Sequence, residues 1–353
     1  MEFLLLAGDI GGTNTRLTLW RYSERGRKVF VNQAFRNRKY ESLGAIVQEF
    51  LATHSVKTSP RKACFAVAGP VDRKNNTCIL TNLSWHLDGN LLAQQLQIDK
   101  VFLINDFEAV GYGVTQLPKT GFRPLQSGTD PSSASSHAPI GLIGAGTGLG
   151  QAFIIREKHG DRFSEIVYPT EGGHVDFAAQ DATEFALLQY FQEYYGLSHI
   201  SADRVISGPG IVVIYKYLRA TGKYHELPEV AEAVNAWEMT GSELSQAPTQ
   251  IISETAFNGS NSLCDDAMRL FVKVYGAEVG NFALKLLPHS GLFVAGGIAP
   301  KIFSAGGELE KIFLEALRDK GRMQPLLEKL PIYLVTDESV GLLGAARFAA
   351  TNL

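Results

Sequence analysis

Two aliphatics, an Asn–Asp pair and an aromatic make up the stretch Leu103-Ile104-Asn105-Asp106-Phe107. A short apolar run reads as a buried strand. A carboxylate at its end stands where sheet meets solvent, on backbone that cannot drift. That suits a general base, which must lie within about 3 Å of the proton it takes. The same Asp106 also suits the cap of a helix beginning at Phe107, and the two readings are compatible. Near the start, Asp9-Ile10-Gly11-Gly12-Thr13-Asn14-Thr15-Arg16 places a carboxylate beside a Gly/Thr turn. Glycines let backbone approach closely, and consecutive N–H groups form an anion nest. Asp9 would repel phosphate unless a cation stood between them, so the pattern implies Mg²⁺, held through water. A hairpin turn that merely needs glycine explains the same residues without a ligand.

Gly144-Ala145-Gly146-Thr147-Gly148-Leu149-Gly150 repeats the theme in the other half of the chain. Two anion-binding hairpins facing each other would grip a polyphosphate from both sides. In Glu171-Gly172-Gly173-His174-Val175-Asp176-Phe177, a Glu and a His bracket a glycine pair, which fits contacts to ligand hydroxyls. On an extended chain His174 and Asp176 share a face. No third ligand stands at a helical or strand spacing, so a metal centre is disfavoured there. After the apolar run Gly291–Ala295, the bare pair Gly296-Gly297 lets a flat ring lie on backbone.

The elements that must position these groups follow from periodicity. Phe3–Ala7 and Leu17–Trp20 read as strands around the first glycine turn, and Pro139–Ile143 and Gln151–Ile155 around the second. Strand–turn–strand is neither a Walker loop, which needs GxxxxGK[ST] before a helix, nor GxGxxG, whose last glycine is replaced by Leu149. Lys28–Gln33, Lys62–Ala68 and Val101–Ile104 are further strands, and Ser42–His54 and Gly89–Leu96 are helices. This alternation predicts an α/β domain with a mixed sheet. Trp85 is a core residue, or else a ring for stacking on a ligand. Phe122–Ala138, rich in Ser, Gly and Pro, reads as a junction between domains. Asp181-Ala182-Thr183-Glu184 has the capping-box spacing, and Phe185, Leu188, Phe191 and Tyr195 then line a core-facing stripe. A polar loop carrying Asp203 leads into an apolar helix at Ile211–Leu218, and Pro228–Gln250 reads as a surface segment. Asp265–Leu287 is a long helix whose Gly276 and Gly280 cost about 1 kcal/mol each relative to Ala and so predict close helix–helix approach. Strand Ile332–Val335 and helix Val340–Ala350 close the chain.

At 353 residues, two domains are expected. A net charge of −3 offers no basic excess to hold nucleic acid or an anionic membrane. The opening residues lack the basic leader of a signal peptide. The uncharged stretch Pro131–Ile155 is too rich in Gly and Ser to span a bilayer. Three cysteines, Cys64, Cys78 and Cys264, show no CxxC spacing and fit small core residues in a reducing cytoplasm.

Taken in order, the five motifs resemble those of bacterial-type glucokinases, within the hexokinase, acetate kinase and actin-like ATPase group. The resemblance runs from the first strand to the last helix. It implies an actin-like (ribonuclease H-like) fold of two α/β domains, 1–120 plus 336–353 and 121–335, with ATP and sugar in the interdomain cleft, and a homodimer. It also implies ATP-dependent phosphorylation of the glucose 6-hydroxyl. Asp9, Gly11, Gly12 and Thr13 match the first phosphate loop, and Gly144, Gly146 and Thr147 the second. Gly296 and Gly297 match the adenosine motif. Asn105, Glu171 and His174 match hydroxyl-binding positions, and Asp106 the catalytic base. The family often has Glu where this chain has Asp203, one methylene shorter; a bridging water or a small loop shift would let Asp203 serve the sugar. The cysteine-rich zinc motif of repressor-type relatives is absent, which places the chain in the non-zinc branch. A sugar-binding regulator, a kinase for another hexose, and an ATPase chaperone or filament protein are the competing readings on this fold.

Overall fold

The computed structural model describes residues 3–23, 26–54, 56, 58–80, 83–128, 138–159, 162–240, 247–303 and 307–352. The chain divides into two compact units. One comprises Met1–Gly121, Val167–Pro169 and Asp337–Leu353, the other Phe122–Ile166 and Thr170–Thr336.

The first unit is built on a five-stranded sheet in the order Gly26–Arg36, Asn14–Ser23, Phe3–Ile10, Lys62–Val67, Lys100–Asn105. The first three strands pair antiparallel and the last three parallel, giving the mixed sheet expected. Along Phe3–Ile10 the side chains alternate between two cores. Leu6 and Ile10 pack with Ile46, Phe50 and Phe65, while Leu5 and Ala7 pack with Ala109, Leu342 and Phe348. Both faces are therefore covered, which explains the near-continuous apolar run. The helices Asp106–Val114 and Val340–Thr351 cross at glycines. A Cβ on Gly344 would stand 1.7 Å from the Ala109 carbonyl oxygen, so no larger residue fits there. Trp85 lies half-buried on a small antiparallel sheet and packs against the first of the two cores.

The second unit repeats the plan. Its six-stranded sheet runs Arg162–Thr170, Leu149–His159, Ile140–Ala145, Leu292–Ala295, Ile332–Val335, Phe122–Gln126. The hairpin Ile140–Ala145/Leu149–His159 is antiparallel, and Ile140–Ala145 then pairs parallel with Leu292–Ala295. The core gathers around the helix Ser262–Leu286. Cβ atoms on Gly276 and Gly280 would come within 2.2 and 2.3 Å of carbonyl oxygens of Phe313 and Leu317, so helix Glu308–Arg318 rests on those two glycines as their spacing predicts.

Three expectations need correction. Pro228–Gln250 is not a surface segment where it is described: Pro228–Thr240 and Ala247–Phe257 are helices, and Val230, Val234 and Trp237 are buried, while residues 241–246 lie outside the described residues. Phe185 does not join the stripe of helix Ala182–Tyr195; it is 56% exposed, and Leu187 turns inward with Phe191. The stretch Phe122–Ala138 opens as strand Phe122–Gln126, paired with Ile332–Val335, while its residues 129–137 lie outside the described residues. Thr81 and Asn82, beside Trp85, do so as well.

Candidate active site

Sheet register brings the acidic groups of the first unit together. Ile10, Val67 and Asn105 are partners across three adjacent parallel strands, as are Asp9, Ala66 and Ile104 one row earlier. Asp9 and Asp106 thus both emerge at the carboxyl ends of these strands, where α/β sheets hold their ligands. The helix cap falls to Asn105 and not to Asp106. Asn105 Oδ1 accepts from the Phe107 and Glu108 amides at 2.9 and 3.1 Å. Asn105 Nδ2 donates to the Gly69 carbonyl at 3.3 Å. Asp106 is the first helical residue, and its Oδ1 accepts from Phe107 N at 2.8 Å. Burial lifts the Asp106 carboxyl to about 6; the Phe107 amide pulls it down, and the nearby charge of Asp9 pushes it further up. Burial also raises Asp9, against the pull of Arg16, its partner on the neighbouring strand.

The first glycine turn is fastened by a residue that motif spacing does not single out. Asn37, 1% exposed, donates from Nδ2 to the Gly11 carbonyl at 2.7 Å. Its Oδ1 accepts from Thr15 Oγ1 at 2.8 Å, and its amide donates to the Thr13 carbonyl at 3.0 Å. The only sequence sign is an Asn directly after a long β-run.

In the second unit the turn after Ala145 is closed by Gly146 N donating to the Gly148 carbonyl at 2.8 Å. Gly208 N, at the start of helix Gly208–Ala220, donates to the Gly146 carbonyl at 2.9 Å. Open space lies where side chains on Gly146 and Gly297 would stand, with no atom within 4 Å. A ligand can therefore lie directly on this backbone. Gly296, at φ +84°, packs a Cβ-free face onto the Ala145 carbonyl, as a left-handed position requires. Asp203 sits against the turn. Its Oδ1 accepts from the Leu149 amide at 2.5 Å, so the shortened acid is engaged by the hairpin itself. A cavity of about 380 Å³ opens beside it, lined by Thr147, Asp203, Arg204, Ser207, Trp237 and Glu238 among others.

Glu171 and His174 are exposed and close together, His174 Nε2 lying 3.7 Å from Glu171 Oε2. Between them the chain turns as a 3₁₀ helix, Gly172–His174, and is not extended. Asp176 pairs with His199 at 3.0 Å. Among the described residues no cluster of three or more His, Cys, Asp or Glu is arranged to hold a metal ion.

The chain matches the glucokinase family model over residues 6–352. It is 45% identical to a glucokinase of Nostoc sp. over 350 residues, 98% of this chain and 99% of that protein. The solved structure of a glucokinase from an Antarctic psychrotroph superposes with a TM-score of 0.77 at 29% identity, covering 99% of both chains. A Streptomyces griseus ROK-family glucokinase, solved with glucose and AMPPNP, shares the fold at 22% identity and a TM-score of 0.61, over 99% of this chain and all of that one. These neighbours have the two-domain actin-like ATPase fold.

Proposed function

The chain belongs to the glucokinase family and is an ATP-dependent glucose kinase, and on that premise we propose that Asp106 is the general base that takes the proton of the 6-hydroxyl. The observation that carries this reading is the position of Asp106. It is a carboxylate one residue beyond a strand end, relieved of capping by Asn105, with its carboxyl lifted to about 6. A base with that affinity is ionised at neutral pH and still binds a proton well. As the 6-oxygen attacks the γ-phosphorus, its proton passes to Asp106, the bond to the β-bridging oxygen breaks, and ADP leaves with glucose 6-phosphate.

Phosphoryl transfer asks the protein mainly to position groups and neutralise charge. Glu171, His174 and Asn105 take sugar hydroxyls, and Asp203 reaches the sugar through water. The turns Gly11–Thr13 and Gly144–Thr147 take phosphate oxygens, and Gly296-Gly297 the adenosine. The open backbone at Gly146 and Gly297 supports this assignment. A half-buried Asp9 beside the first glycine turn fits Mg²⁺ held through water, the ion being bound otherwise by phosphates. Bound there, Mg²⁺ would offset charge on the phosphate oxygens. With this reading go a homodimer, checked by light scattering, and a cytoplasmic location. Buried free thiols at Cys64, Cys78 and Cys264 support the latter, and no described helix is long and apolar enough to cross a membrane.

The test is a coupled ATP-consumption assay with and without a panel of hexoses. Consumption should require sugar, with glucose giving the highest kcat/KM. Sugar-independent hydrolysis, no turnover at all, or a strong preference for another hexose would each overturn the reading.

A further inference from the structure

Behind the Glu171–His174 turn lies a buried polar chain with no role in the chemistry described above. Glu278, on the long helix Ser262–Leu286, is 5% exposed. Among the described residues it has no salt-bridge partner: its Oε1 accepts from Gln151 Nε2 at 2.9 Å and its Oε2 from Asn281 Nδ2 at 3.1 Å. Lys320 feels its charge without a direct ion pair. A carboxylate buried with only amides for hydrogen-bond partners is costly, and a leucine in its place would pack without that cost. What the carboxylate secures is direction. Glu278 Oε1 accepts from the Gln151 NH₂, so the Gln151 carbonyl oxygen faces the other side.

That other side is the Glu171–His174 turn. Gln151 Oε1 lies 2.2 Å from where a Cβ on Gly172 would stand, so the amide oxygen rests on the bare Cα of Gly172. The main chain beside it holds the same turn. Gln151 O accepts from Thr170 Oγ1 at 3.1 Å, and that hydroxyl accepts from Gly172 N at 3.1 Å. The Leu149 carbonyl oxygen lies 2.1 Å from the Cβ position of Gly173. The turn is thus seated on Leu149 and Gln151 of strand Leu149–His159, and the adjustable part of that seat is the Gln151 side chain.

We propose that Gln151, oriented by Glu278, is a positioning residue that sets the placement of Glu171 and His174 and thereby the affinity for glucose. The inference rests on the reading of Glu171 and His174 as sugar ligands. Ångström-scale misplacement of ligand groups changes kinetics by an order of magnitude or more. Gln151→Leu and Glu278→Leu should therefore each raise the KM for glucose about tenfold. The KM for ATP should stay within about twofold, because uniform binding of one substrate alone is lost. Glu278→Gln should restore near-normal glucose KM, since its amide oxygen still accepts from Gln151.

Gly172→Ala supplies a variant that keeps both Gln151 and Glu278. Its methyl group would meet Gln151 Oε1, so it should raise the glucose KM alone, and Gln151→Ala in the same chain should cancel most of that added effect. A glucose KM unchanged in Gln151→Leu, an ATP KM that rises in parallel, or full additivity of Gly172→Ala with Gln151→Ala would overturn the proposal. Glu171→Ala separates the two levels. If it leaves the glucose KM unchanged, the sugar assignment itself fails; if it raises that KM while the Gln151 variants do not, only the positioning role fails.

Discussion

Replacing Asp106 by Asn should destroy activity and stabilise the fold in the same stroke. The carboxyl is raised from its ordinary 3.8 to about 6, chiefly by burial. Each tenfold change in proton affinity corresponds to about 1.4 kcal/mol, so keeping Asp106 ionised costs the native state about 3 kcal/mol at neutral pH. The sign follows from the direction of the change. Because the folded-state value lies above the unfolded one, the native state binds this proton more tightly. The associated stability is fully present below about 4 and is lost as pH rises through about 6. Asn carries no charge to desolvate and keeps the shape of the side chain. The variant should therefore unfold at a higher temperature or denaturant concentration than wild type at pH 7, and the difference should shrink towards zero as pH approaches 4.

Activity must move the other way. General-base assistance is worth about 10²–10⁴-fold, so Asp106→Asn should lose that much kcat while still binding glucose. In the wild type, kcat/KM should fall on the acid side with an apparent pKa near 6, and at pH 5 it should stand about tenfold below its plateau. The two measurements are a pH–rate profile and paired unfolding curves for both proteins at pH 7 and 4.5. Near-normal turnover in the Asn variant would end the base assignment. An acid limb close to 4, with no stability gain at pH 7, would show that burial is not what governs this carboxyl.

Two further perturbations probe what holds Asp106 in place. Arg73 Nη2 lies 2.7 Å from Glu108 Oε1, whose side chain is only 3% exposed, on the helix that Asp106 begins. Burial raises the Glu108 carboxyl and Arg73 pulls it back. Arg73→Leu should cost about 2–3 kcal/mol at neutral pH by stranding that charge, and the loss should diminish as acid protonates Glu108; denaturation curves giving the same deficit at pH 7 and pH 5 would contradict this. Gly344→Ala would drive a methyl group to 1.7 Å from the Ala109 carbonyl oxygen, forcing the Asp106–Val114 and Val340–Thr351 helices apart. It should cost about 3 kcal/mol and lower kcat as well, so an unchanged melting temperature would mean that this crossing is looser than its geometry.

The groups that can be found from sequence are those whose partners lie along the chain. Asp9 with its glycine turn, the Gly144–Gly150 run and Gly296-Gly297 are strand ends followed by residues that admit backbone contact, so spacing alone marks them. Helix Pro228–Thr240 hides because Glu and Asn dilute its period, although Val230, Val234 and Trp237 already mark one face. Partners distant in sequence leave no trace. His199 pairs with Asp176, and Glu278 reaches Gln151 across 127 positions.

The Asn105–Asp106 pair shows why the local signal is ambiguous. Either side chain suits a helix start, and the choice between them decides the chemistry. Had Asp106 capped the helix, two amide donors would have held its carboxylate down, leaving a weak base. Asn105 takes the Glu108 amide and shares that of Phe107. Backbone amides and the Asn105 side chain still lower the Asp106 carboxyl, but burial outweighs them. A neutral cap placed directly before an acid thus starts the helix and leaves burial to set the proton affinity of the carboxyl at its first position.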